Sequence, residues 1–307
     1  MLDGRIYVAG HGGLVGTAMM RALRTRGCTN LVTRTHDELD LRDAAATRSF
    51  FAEERPNYVF LAAARVGGIA ANRAKPAEFI FDNLAIQESV IDAAYRSGVK
   101  KLLFLSSSAI YPRDARQPMT EGMLLTGPLE PSNEFYSVAK LAGIKLCQAY
   151  RQQYGFNAIC ALPTNLYGPN DHFDLESGHV VPAMLRRFHE AKVAGAREVV
   201  VWGTGRARRE FMFSEDCAEA CLFLMQHYSD PMPMNVGVGT DMSIAELAQT
   251  VKGVVGFEGE IVFDTTKPDG APRKLLDVTR LQNMGWRATT RLREGLDETY
   301  KWYRSSF

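Results

Sequence analysis

Short apolar runs alternate with stretches of helical periodicity through the first half of the chain. The runs fall at Arg5–Ala9, Asn30–Thr33, Tyr58–Ala62, Lys101–Ser106 and Ala158–Pro163. Between them, apolar residues recur at helical spacing over Val15–Arg26, Ala45–Glu54, Leu84–Ser97 and Tyr136–Tyr154. Strand-length runs separated by helix-length patterns predict βαβ units: a parallel sheet with helices on both faces and right-handed crossovers.

Beyond Pro163 the alternation loses its regularity. Gly168-Pro169-Asn170-Asp171-His172 reads as a loop, Val180–Ala194 as a helix, and Val199–Trp202 as a strand ending in a Gly203-Thr204-Gly205 turn. Ile244–Val254 is predicted helical, because Ser243 with Glu246 three residues on forms a capping box. Leu292–Tyr303 closes the chain as a helix. These patterns predict a nucleotide-binding domain over 1–165 and a smaller lobe over 166–307, with segments free to cross between them and the site in the cleft.

Composition narrows the class. The 307 residues are 46% hydrophobic, enough for a large core, and the net charge of +1 offers no basic field for nucleic acid. Five cysteines (Cys28, Cys147, Cys160, Cys217 and Cys221) form no CxxC pair, which fits a reducing cytoplasm; Cys217 and Cys221 are expected to be packing residues. Met1–Arg5 runs straight into an apolar strand, so no leader is expected, and no apolar stretch approaches the ~20 residues of a spanning helix. The histidines show no metal-ligand spacing, so no metal is expected.

The first strand leads into Gly10-His11-Gly12-Gly13-Leu14-Val15-Gly16 and then a helix. Glycines there let the backbone turn and approach a dinucleotide pyrophosphate, which the helix N-terminus attracts. At the end of the second strand, Arg34 and His36 favour a 2′-phosphate and hence NADP(H). Asp37 and Glu38 follow closely, so use of NAD(H) is not excluded.

Tyr136 and Lys140 stand at i and i+4, on one helix face. A cation beside a phenol lowers its pKa, which suits a proton donor to a carbonyl being reduced. Ser107, in the run Ser106-Ser107-Ser108 at a strand end, supplies a second donor to the carbonyl oxygen. Together with the glycine loop, this predicts a nicotinamide-dependent oxidoreductase.

These motifs resemble those of the extended short-chain dehydrogenase/reductases, and among them the GDP-L-fucose synthase family. The similarity runs nearly end to end, through Leu61–Gly68, Pro163–Pro169, Val199–Gly205 and Lys267–Asp277. It implies a Rossmann-type doubly wound α/β fold with a smaller C-terminal α/β substrate lobe, and a homodimer packed through helices of the cofactor domain. The implied reaction is epimerisation of GDP-4-keto-6-deoxy-D-mannose at C3 and C5, followed by NADPH reduction at C4. It also implies that Lys140 binds the nicotinamide ribose and that Leu41, Leu105, Ser106, Pro163, Asn165, Leu166 and His179 border the cofactor. Ser107, Ser108, Arg187, Trp202, Arg209, Asp269 and Lys274 are implied on the substrate side, where Arg forks suit phosphate oxygens.

One position departs from the family. Epimerisation there uses a cysteine two residues after the catalytic serine as base and a distant histidine as acid. The histidine corresponds to His179, but the cysteine position holds Ala109, whose methyl carries no proton. Three readings stay open: an engineered Cys-to-Ala exchange, a natural C4 reductase without epimerisation, or another group acting as base. Family members also commonly carry arginines where this chain has Gly12 and His36, which weakens the expected preference for NADPH. Rival functions are a same-fold sugar-nucleotide epimerase or dehydratase and, from another class, a non-catalytic dinucleotide sensor or scaffold.

Overall fold

The computed structural model describes residues 2–267 and 269–307; Met1, and Pro268 within the Lys267–Asp277 motif, lie outside the described residues. Six parallel strands form the main sheet in the spatial order Leu31–Val32, Ile6–Ala9, Tyr58–Leu61, Lys101–Leu105, Ala158–Pro163 and Met234–Val236. The chain runs outward in one direction from Ile6–Ala9 and returns to the other side at Tyr58–Leu61. The switch point therefore lies between these two strands, where open α/β sheets hold ligands at the carboxyl ends.

Helices cover both faces, and the inner strands are buried along their whole length, which is why they read as unbroken apolar runs rather than alternating ones. One face packs Tyr7, Phe51, Leu61, Phe104 and Leu162; the other packs Val8, Met19, Phe60, Leu103 and Ile159. Five predicted strands and the helices between them are present. Their ends differ by a residue or two, with one exception. The helix expected from Leu84 begins at Pro76, because proline is tolerated in a first helical turn.

The irregular second half hid two elements of the main sheet. Helix Ser214–His227 packs on Leu14–Thr25, and strand Met234–Val236 extends the sheet beside Ala158–Pro163. That helix buries Cys217, Ala218, Cys221, Leu222, Leu224 and Met225, so its apolar residues lack a one-sided stripe. Lys101, inside a buried strand, donates from Nζ to the carbonyls of Leu224 (3.1 Å) and Met225 (2.6 Å) at that helix's C-terminal end.

The remaining lobe has its own core of Phe188, Val199, Val201, Leu247, Val251 and Tyr300. Its small sheets pair Glu198–Trp202 with Glu260–Asp264, and Arg208–Arg209 with Met242–Ser243 and Arg273–Lys274. The predicted capping box at Ser243 and Glu246 is present. Among the described residues no helix is long and apolar enough to cross a membrane.

Glu210 fastens the lobe to the sheet. Fully buried, it accepts from the backbone N–H groups of Val238 (2.6 Å), Gly239 (2.7 Å) and Leu276 (2.9 Å). Its own carbonyl accepts from Asn165 Nδ2 at 2.8 Å. Glu210→Ala is expected to destabilise the fold by about 3–5 kcal/mol in urea denaturation, since three backbone donors, that of Leu276 fully buried, lose their acceptor. A loss under about 1 kcal/mol would show that these donors find other partners.

Candidate active site

The glycine loop is built at the switch point. Gly10 has φ +82°, and a side chain there would lie 2.7 Å from Ala63 N, so only glycine fits. A side chain at Gly16 would strike the Gly10 carbonyl at 2.0 Å, which lets the helix Leu14–Thr25 start hard against the loop. Gly12 faces open space: a Cβ there would meet no atom within 4 Å. Gly13 caps the helix without a side-chain bond, and the first turn holds no acid. The N–H groups at Leu14 and Val15 thus meet no competing carboxylate, an arrangement that fits a dinucleotide diphosphate.

The second strand's end is less open than its sequence implies. Arg34 turns back, ion-paired with Glu54, bonded to the Thr33 carbonyl at 2.8 Å and lying 5.1 Å over the Phe50 ring. These two bonds leave other guanidinium N–H groups for a phosphate. His36 is exposed. Glu38 is tied into a turn by Thr35 N (2.7 Å) and Oγ1 (2.9 Å), and these bonds hold its carboxyl below the usual range. Leu41 belongs to the hydrophobic core, so its side chain is committed to packing.

Leu105 ends the central strand Lys101–Leu105, Ser106 follows it, and Ser107 opens a short turn, with its Oγ accepting from Ala109 N at 3.1 Å. Ser108 is buried. Ser137 Oγ donates to the Ala109 carbonyl at 3.1 Å, pinning this turn to the helix Glu134–Tyr154. That helix presents Tyr136 and Lys140 together: Lys140 Nζ is 6.0 Å from the Tyr136 ring centre.

The electrostatics differ from the expectation. Burial pushes the Tyr136 phenol up to about 12, opposed only by a hydrogen bond with Ser107. Lys140 does not lower it. Its Nζ donates to the Leu105 carbonyl at 2.9 Å under the Phe104 ring, and burial lowers its own pKa to about 7. Spacing reveals the cation's proximity but not the desolvation that both groups undergo, and desolvation dominates. Phe79, not singled out from sequence, meets the Tyr136 ring edge-on at 6.4 Å.

His179 caps the helix Val180–Val193 at the cleft. Water reaches it, yet surrounding protein atoms, and secondarily His172, lower its pKa. Its loop is held by Gly68 N donating to the Ser177 carbonyl at 2.9 Å, and a side chain at Gly68 would lie 2.9 Å from the Gly178 carbonyl. Pro163 pairs with Val236 and Leu166 with Met212, at strand ends bordering the same cleft.

Of the other predicted residues, Arg187 lies 5.5 Å from the Trp202 ring centre, and Lys267 Nζ lies 5.6 Å from the same ring. Trp202 is 54% exposed, a surface ring rather than a core one. Arg209 and Lys274 are register partners on adjacent strands; burial lowers both pKa values, and Glu130 opposes this in each. Asp269 accepts from Thr204 N (2.7 Å) and Oγ1 (2.6 Å), so it shapes the Gly203–Gly205 turn. Glu130 escaped sequence reading because an isolated polar loop residue carries no periodicity; the only hint was its closeness to Tyr136.

The profile of the NAD dependent epimerase/dehydratase family matches residues 6–237. GDP-L-fucose synthase 1 of Arabidopsis thaliana is 58% identical, over 97% of this chain and 93% of its own. The chain belongs to the GDP-L-fucose synthase family. The Escherichia coli (strain K12) GDP-L-fucose synthase is 52% identical, over 97% of this chain and 96% of its own. Two solved structures from Campylobacter jejuni are of reductases. A GDP-6-OMe-4-keto-L-xylo-heptose reductase superposes with a TM-score of 0.94 at 37% identity, covering 100% of this chain and 99% of its own. MlghC, a GDP-mannoheptose C4 reductase with NADP bound, gives 0.90 at 38%, covering 99% of each.

Position 109 holds an alanine, in the turn that follows Ser107. The chain's thiols lie elsewhere. Cys147, Cys160, Cys217 and Cys221 are all buried, while Cys28 follows the first helix.

Proposed function

We propose that this chain reduces the C4 ketone of GDP-4-keto-6-deoxy-D-mannose, or a close GDP-4-keto sugar, with NADPH. The observation that carries the reading is the Ser107–Tyr136–Lys140 group at the strand end beside the glycine loop. NADPH, when bound, supplies the hydride. Tyr136 gives its phenolic proton to the carbonyl oxygen, and Ser107 donates a hydrogen bond to the same oxygen as charge develops there. Lys140 orients the cofactor's ribose and recharges the phenol. Arg187, Arg209 and Lys274 receive the diphosphate, with Trp202 offering its open ring to the nucleotide or sugar. Gly10 to Gly16, Leu105, Ser106, Pro163, Asn165 and Leu166 border the cofactor. We divide the chain into a 1–165 cofactor unit and a 166–307 substrate lobe, with Ser214–Val236 crossing back. The test is NADPH consumption with that sugar nucleotide. Turnover dependent on both substrates is expected; binding of NADPH without consumption would instead favour the sensor reading.

The C3 and C5 protons are both α to the same ketone, so the Tyr136 and Ser107 donors also suit the enolate of epimerisation. That reaction further needs a proton carrier on each ring face. His179 supplies one, and Ala109 leaves the other without a carrier. The reading is therefore a C4 reductase with impaired epimerisation, and the two reductases among the structural relatives support it.

The proposal includes a cytoplasmic location, supported by the free cysteines, and a homodimer. Along helices Pro76–Arg96 and Glu134–Tyr154, Phe81 (68%) and Val138 (39%) are exposed, and Leu84, Ala142 and Leu146 share that face with Arg48, Glu88, Asp92 and Arg96. A cavity of about 450 Å³ opens on that face. Light scattering is expected to give twice the 34.1 kDa chain mass, falling to one copy in Phe81→Glu. A monomeric unsubstituted protein would contradict the dimer.

A further inference from the structure

A core aromatic ring faces the amine that serves Tyr136. Phe104 lies on the inner strand Lys101–Leu105, and its ring centre is 4.8 Å from Lys140 Nζ. The same nitrogen donates to the carbonyl of the next residue, Leu105, at 2.9 Å. Phe104 and Lys140 are both buried.

The helix fixes where the ring sits. A side chain at Gly143, one turn on from Lys140 in helix Glu134–Tyr154, would lie 2.5 Å from Phe104 Cζ and 2.6 Å from Gln87 Oε1. Bare backbone at Gly143 therefore admits the tip of the ring. Gln87 Nε2 donates to the Ala139 carbonyl at 2.6 Å and braces the helix beside Lys140. Strand and helix thus hold ring and amine against each other.

Enclosure in protein strips an ammonium of its hydration and favours the neutral amine. The Leu105 carbonyl satisfies one of its three N–H groups. An aromatic face carries negative charge, and its attraction for a cation is strongest where water is excluded. The elements packed on this helix are Lys101–Leu105, Ala158–Pro163, Pro76–Arg96 and the turn Ser108–Ile110. No acid on them acts on Lys140, and the ionisable group beside it is Tyr136, whose ring centre is 6.0 Å away. The Phe104 ring stands where a counter-ion would otherwise be needed.

We propose that Phe104 is a positioning residue for the reduction: its ring face keeps the Lys140 ammonium charged and in place beside Tyr136. This rests on the reading of Lys140 as part of the reducing group.

The charge on Lys140 is read by NMR titration of protein carrying isotope-labelled lysine, with Lys140→Met identifying its signal. A ring-fluorinated phenylalanine placed at position 104 keeps the shape and drains the negative face; Phe104→Leu and Phe104→Met remove the ring. In each, the Lys140 midpoint is expected to fall by about one pH unit, because the charged form has lost its partner. The decline of NADPH consumption at high pH is expected to begin about one pH unit lower in the same proteins. Melting curves show which variants are folded, and a ring that only filled space would change melting while leaving the midpoint where it was. An unchanged midpoint in the fluorinated protein would overturn the proposal, as would a shifted midpoint with an unmoved rate profile. Failure of the Lys140 reading looks different: Lys140→Met would then consume NADPH at the unsubstituted rate.

Discussion

Tyr136→Phe is expected to lower the rate of NADPH consumption by roughly 10²–10⁴-fold, the usual share of a positioned general acid. The ring stays, and with it the edge-on contact to Phe79, so the fold and NADPH affinity are expected to hold. Only the hydroxyl is lost, and with it the proton for the C4 oxygen. A phenol held up at about 12 keeps its proton throughout the working pH range, so the donor form is always present. Ser107 stands near enough to Tyr136 to oppose the rise in its pKa, and Ser107→Ala is expected to act in the same direction. A Tyr136→Phe rate within ten-fold of the parent would mean that another group delivers the proton.

Ala109→Cys is expected to raise solvent-proton exchange at C3 and C5 by about 10²-fold or more, restoring a carrier on the second ring face. The exchange of methyl for thiol is small, and the site is half-buried at a turn already fixed by Ser107 Oγ and Ser137 Oγ. The new thiol would stand two residues from Ser107, facing the same ketone as His179. C4 reduction is expected to change little, because Tyr136, Ser107 and Lys140 are untouched. Two further outcomes are informative: no gain in exchange would place the impairment elsewhere, and strong exchange before substitution would mean that some other group already serves as base. Deuterium incorporation measured by NMR separates these cases.

The main sheet is legible in the sequence because its strands are unbroken apolar runs between amphipathic helices. Tyr136, Lys140 and Ser107 are legible too, since their spacing reports one helix face and one strand end. Legibility stops where the information is not periodic. Strand Met234–Val236 is short and follows a helix buried over most of its surface, so neither shows a clear pattern. Charge states were not legible either. Lys140 beside Tyr136 suggested a lowered phenol pKa, whereas enclosure of both groups dominates and moves the phenol up and the amine down. Arg34 was visible as a cation, but its pairing with Glu54 depends on a residue twenty positions away.

The most direct measurement is incubation of the unsubstituted protein with GDP-4-keto-6-deoxy-D-mannose and NADPH in D₂O, with the product followed by NMR. NADPH consumed and a C4-reduced sugar carrying little deuterium at C3 and C5 is the predicted result: the reductase is intact and the second proton carrier is missing. Full deuteration at both carbons with inverted configuration would contradict it, because epimerisation would then proceed through the Ala109 site without a thiol.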